Sequence, residues 1–265
     1  MALYVGGAVW RSRNWRNLPV AALIALFALS NWLVHWSALF GQAPVIDGQR
    51  LAIFTIAILV TLIGGRIVPA FTRNWFVQNG IEAPVAKPGR LDKAAAGLLL
   101  ATIVAALAAP DTSLAGWLAW LTAIVHFARL LRWRGWLTLA EPLVWALHVG
   151  YLRLVVGIAA LAAAWLGWGI SETTALHALT TGAFGTSIIA VMTRASLGHS
   201  GRPLHAGPGT LIVYILVIAA GVARVSAPFW GEQTSLLIAA AALLWAGGFG
   251  LFAALYFRLL TGPEK

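Results

Sequence analysis

Six histidines and no cysteine define the chemistry open to this 265-residue chain. Without cysteine there are no disulfides, thiolate metal sites, covalent haem attachment or cysteine nucleophiles. The histidines are His35, His126, His148, His177, His199 and His205. The last three fall in one stretch, 172–205, with small residues at Ala178, Gly182 and Gly185, a cationic stop at Arg194 and a Gly/Pro-containing loop. Imidazole suits haem iron and copper. Two imidazoles at one membrane depth, on different helices, suit an iron held on both axial faces. The competing reading makes each ring polar glue, hydrogen-bonded to a hydroxyl or carbonyl of a neighbouring helix. Ser-His-Asp and phosphate-loop patterns are absent.

The elements that position these residues are apolar. The composition is 60% hydrophobic and 10% charged, against about 25% charged in soluble domains. Fourteen Trp and 27 Gly suit helices packed in a bilayer with aromatic belts. Runs long enough to cross the hydrocarbon recur near 18–40, 51–71, 93–110, 113–131, 143–168, 173–192, 210–230 and 235–259. Turn chemistry separates them at 41–44, Pro110-Asp111, Gly169 and Gly231-Glu232. The expected fold class is all-α, a polytopic transmembrane bundle of about eight spans.

Charge placement gives the expected topology. Arg11, Arg13, Arg16, Arg66, Arg73, Lys87, Arg90, Lys93, Arg129, Arg132, Arg134, Arg194, Arg202, Arg258 and Lys265 all fall on one side. The other side carries Arg50 with Asp47, Asp111, Glu172 and Glu232. The positive-inside rule then puts both termini in the cytoplasm. The net charge of +10 is thus a topology signal, and nucleic acid is not an expected partner; the lipid bilayer is. A gapless match of 64–73 to 185–194, and of 127–131 to 256–260, suggests two parallel four-helix repeats. The expected divisions are a cytoplasmic segment 1–17, a first four-helix unit 18–131, and a second unit with a short tail, 132–265.

Depth follows from the rise of about 1.5 Å per residue. His35 on the first span and His177 on the sixth share an outer depth. His126 on the fourth and His148 on the fifth share an inner one. His199 and His205 fall in a cytoplasmic loop. On an unbroken helix, His177 and His199 stand roughly 33 Å apart, too far to share a metal. Two arginines lie within spans. Arg224, in the outer part of the seventh, can extend outward. Arg153, ten residues into the fifth, needs a haem propionate, an anionic substrate or helix carbonyls. No span is expected to bury Asp or Glu; Glu141 precedes Pro142 at a helix start. That disfavours a proton-driven pump.

Four motifs resemble one family: Gly64-Gly-Arg-Ile-Val-Pro-Ala-Phe-Thr-Arg-Asn-Trp75, Glu141-Pro-Leu-Val-Trp-Ala-Leu-His-Val-Gly-Tyr151, His177-Ala-Leu-Thr-x-Gly-Ala-x-Gly-Thr186, and Ala190-Val-Met-Thr-Arg-Ala-Ser-Leu-Gly-His-Ser-Gly-Arg-Pro-Leu204. Together they look like the NnrS family, over essentially the whole chain. The resemblance implies a polytopic protein of the bacterial inner membrane, containing haem and copper and associated with nitric oxide metabolism and nitrosative stress. Here it implies non-covalent haem b or copper, with nitric oxide as a ligand. Motif positions put His148, His177 and His199 first as metal and cofactor ligands, His35 second, with Arg153 as a cofactor-binding cation. Family members carry further spans and an early His-x-His-Glu-Met motif that this sequence lacks. The chain is therefore expected to be N-terminally truncated, with residues 2–10 the remnant of a preceding span. The alternative function is a non-redox transporter or scaffold with structural histidines.

Overall fold

The computed structural model describes residues 2–13, 15, 18–41, 46–109 and 112–262. Arg16, the 42–44 part of the first turn, Pro110-Asp111 and Lys265 lie outside the described residues. Among the described residues every regular element is helical, and eight helices are long and apolar enough to cross a membrane. The chain is a multi-pass helical membrane protein. It divides into two compact units, 1–62 and 63–265.

The first unit holds α1 (Ala2–Arg11), α2 (Leu18–Phe40) and the start of α3 (Gly48–Gln78). The Asp47 carboxylate accepts the N–H groups of Gln49 and Arg50 at 2.8 and 3.3 Å, which starts α3. Gly48 lies so close to α2 that a Cβ there would stand 2.6 Å from the Ser30 carbonyl oxygen.

In the second unit α3 continues, followed by α4 (Arg90–Ala108), α5 (Ser113–Leu131) and α6 (Pro142–Trp165). Each start has a local cause. Asp92, on the first turn of α4, reaches back to the Gly89 N–H at 2.7 Å. Glu141 caps α6 through the Leu143 N–H, with Pro142 at the first helical position, where its missing N–H costs nothing. The turn from α5 to α6 points Trp133 inward, where it is 2% exposed. It then passes through Arg134 in the left-handed region, φ 55°.

The sixth span runs from Glu172 to His199, longer than the expected 173–192. It comprises α7 (Glu172–His177), a π-helical segment (Ala178–Phe184) and α8 (Gly185–His199). His199 is therefore the last residue of a helix, not a loop residue. α9 (Pro208–Ser226) and α10 (Thr234–Thr261) pack on each other and on this span. α6 runs through the middle of the unit, in contact with α5, the π segment and α8. Small residues allow that approach, because helix association in lipid relies on close packing. A Cβ on Gly150 would stand 3.1 Å from the Ser187 backbone.

Candidate functional site

The inner histidines sit in a packed polar network, not on either side of an open gap. His126 on α5 is fully buried, and its Nε2 faces the Ala95 carbonyl oxygen at 3.1 Å. A carbonyl only accepts, so Nε2 carries the hydrogen and Nδ1 the lone pair. Tyr151 donates its hydroxyl to that lone pair at 2.9 Å. Arg129 Nη1 donates to the same hydroxyl oxygen at 2.8 Å, and Arg129 Nε donates to Asp92 at 2.7 Å. The chain Asp92–Arg129–Tyr151–His126–Ala95 thus has a donor and an acceptor at every step. His126 keeps no free lone pair and is structural. Two carboxylates do lie sheltered at helix starts: Glu141, just outside the α6 span, is 4% exposed, and Asp92, on the first turn of α4, has a side-chain exposure of 15% against its arginine. Close approach of α3 encloses the network: Gly65 faces the Arg129 guanidinium and Gly64 the Tyr151 ring.

His148 lies beside that network. The Tyr151 ring stacks on His126 at 5.7 Å and meets Trp133 at 4.6 Å, and Trp133 meets His148 at 6.5 Å. Protein rings therefore fill the space between the two histidines. His148 Nδ1 faces the Val144 carbonyl at 3.1 Å and so bears the hydrogen. Its Nε2 lone pair faces Thr72 Oγ1 at 3.2 Å. That hydroxyl also lies 2.8 Å from the Val68 carbonyl. One hydroxyl hydrogen thus serves two acceptors, and whenever it turns to Val68 the Nε2 lone pair has no donor.

His177 Nδ1 donates to the Thr173 carbonyl at 2.7 Å, and its Nε2 accepts from Arg224 at 3.0 Å. Arg224 thus pairs with an imidazole. Arg153 finds its partners within the protein. It donates to Thr186 Oγ1 at 3.0 Å and to the Ile218 carbonyl at 2.9 Å, lying over Gly221 on α9. His205 is exposed, and its Nδ1 lies 2.7 Å from Glu141, which also accepts the Ala206 N–H at 3.1 Å. His199 is exposed at the end of α8. His35 is exposed on α2 in the first unit.

The family model described as NnrS protein matches residues 1–264. The chain belongs to the NnrS family. No curated protein and no solved structure matches it. In this NnrS chain, His177 and His199 fall at opposite ends of one span and are not brought together. Among the described residues no group of three His, Asp or Glu side chains could hold a metal ion. Sequence reasoning missed Thr72, Asp92, Arg129, Trp133 and Tyr151. Two of these were within reach: Thr72 and Tyr151 lie inside motifs already singled out, Tyr151 one helical turn beyond His148.

Proposed function

We propose that this NnrS-family membrane protein acts in the bacterial inner membrane in nitric oxide handling or the nitrosative-stress response, holding haem b or copper through His148 Nε2. Family membership supports the setting. The polar surroundings of His148 support the choice of residue: Val144 and Thr72 face its two ring nitrogens, and the Trp133 backbone is a further partner of the ring. The Val144 carbonyl fixes its tautomer, as is usual for a ligating imidazole, whose other ring nitrogen donates to a carbonyl or carboxylate. The Thr72 hydroxyl can release Nε2 by turning to Val68. This donor chemistry would let His148 Nε2 hold a haem iron or a copper ion. It does not fit the His126–His148 pair, because the His126 lone pair already accepts from Tyr151. A bound haem or copper would supply the capacity to bind nitric oxide. The protein's part is to hold the imidazole in one tautomer and one orientation.

The second reading, a transporter or scaffold with structural histidines, rests on His126 and His177, whose nitrogens are all committed. Absorbance spectra of protein purified with ample haem, oxidised and reduced, with metal analysis, separate the two. The first reading expects a Soret band that is lost in His148→Ala and kept in His126→Gln. A wild type without haem or copper, or a His148→Ala spectrum equal to wild type, refutes it.

A further inference from the structure

Two cavities at the α5–α6 turn form one amphipathic groove. The first, about 260 Å³, is an apolar slot between α5 and α6, lined by Phe127, Leu139, Trp145, Val149 and Leu152 among others. His148 lines it too, but the wall is apolar, so the imidazole presents carbon to the slot while Nε2 faces Thr72. The second, about 470 Å³, is bounded by Arg132, Arg134 and the 84–86 segment. Leu131 and Trp136 line both, so the cationic pocket and the apolar slot adjoin.

From this geometry we infer that the groove binds an anionic glycerophospholipid, its phosphate on Arg132 and Arg134 and an acyl chain in the slot. Charge complementarity selects the headgroup. No carboxylate lines either cavity. Glu82, on the neighbouring loop, is exposed and outside the lining. Arg134 donates its Nε to the Pro84 carbonyl at 2.8 Å, which holds the side chain at the pocket. Its terminal N–H groups, and the side-chain N–H groups of Arg132, have no protein acceptor among the described residues. A guanidinium fork matches phosphate oxygens, and basic residues at a span end collect anionic headgroups. Arg73 closes the loop from the other side through the Ala86 carbonyl, adding positive charge. Trp136, more than half exposed, is suited to the headgroup boundary. The slot is lined by side chains from successive turns of both helices, from Phe127 to Leu131 on α5 and from Trp145 to Leu152 on α6, and its wall is apolar, which suits an acyl chain. The site does not depend on haem, because the nitrogens of His148 face elsewhere.

The test is native mass spectrometry of the full chain equilibrated with dioleoyl-phosphatidylglycerol and dioleoyl-phosphatidylcholine. The wild type should retain phosphatidylglycerol preferentially. With each arginine contributing about 1 kcal/mol, Arg132→Gln with Arg134→Gln should reduce that preference about 30-fold. Leu152→Trp, which fills the slot and keeps both arginines, should lose the bound lipid as well. Equal retention of the two lipids, or an unchanged preference in the arginine variant, marks an ordinary lipid annulus and overturns the proposal. Displacement of the lipid by inorganic phosphate at equal concentration also overturns it, since the acyl chain would then contribute nothing.

Discussion

Replacing Tyr151 by phenylalanine removes one oxygen and leaves the ring volume nearly unchanged. Packing against Trp133 and the stack on His126 should therefore survive. What disappears is the atom that donates to His126 Nδ1 and accepts from Arg129. Two buried groups lose a partner together, a lone pair on a fully buried imidazole and an N–H of a guanidinium 5% exposed. An orphaned buried group costs about 1–3 kcal/mol. Interhelical hydrogen bonds in membranes average only about 0.6 kcal/mol, because the unfolded chain in lipid finds other partners. Here a single hydroxyl serves two partners, one of them charged. The expected loss is about 2 kcal/mol, several times the membrane average.

The assay is reversible unfolding in mixed detergent micelles, read by Trp fluorescence. A double-mutant cycle isolates the bond. His126→Leu with Tyr151→Phe should cost less than the sum of the single variants, by about 1 kcal/mol. A Tyr151→Phe protein within about 0.5 kcal/mol of wild type would refute the network. So would strict additivity in the cycle, since neighbours in one network should couple.

Two further outcomes test the packing and the loop. Gly150→Ala pushes a methyl against the Ser187 backbone and should destabilise by about 1–3 kcal/mol, whereas Gly97→Ala, with open space around it, should be neutral or stabilise by up to about 1 kcal/mol; the same unfolding titration checks both. Glu141→Ala removes the acceptor of the Ala206 N–H, and since a bond to a charged group contributes about 1.5–3 kcal/mol, hydrogen exchange at that amide should accelerate about tenfold or more.

The spans were legible because bilayer thickness converts directly into the length of an apolar run. Helix starts were legible where a cap and a proline coincide, as at Glu141-Pro142. The polar network was not. Arg129 and Asp92 are 37 residues apart and both lie at span ends, where charge reads as solvated topology signal. Only the packing of α4 against α5 turns them into a partly buried pair. Arg153 gave a correct warning, since a deep cation needs partners. The partners proved to be Thr186 and a main-chain carbonyl, neither of which carries a charge that sequence can flag. The π segment left no periodic trace. Its adjacent Thr180 and Thr181 bond back to the carbonyls of Leu176 and His177, and such bonding loosens a regular helix.

The gapless alignment of 64–73 with 185–194 gives a further reason to single out His148. It equates Thr72 with Thr193. Both are fully buried, and both bond to the carbonyl four residues earlier, Val68 and Ile189. Their partners differ. Thr193 meets the Tyr214 hydroxyl, which brings its own hydrogen. Tyr214 can donate to Thr193 while Thr193 donates to Ile189, and every contact is served. Thr72 meets the lone pair of His148, which brings none. One hydrogen is then divided between an imidazole and a carbonyl. A carbonyl already inside a helix loses little if that hydrogen turns away, so Thr72 can serve Nε2, and the Nε2 lone pair is open only while the hydrogen is on Val68. An electrophile at that nitrogen would release Thr72 to Val68, whereas at His126 it would have to displace the Tyr151 hydroxyl from Nδ1, so the proposed site favours His148 over His126.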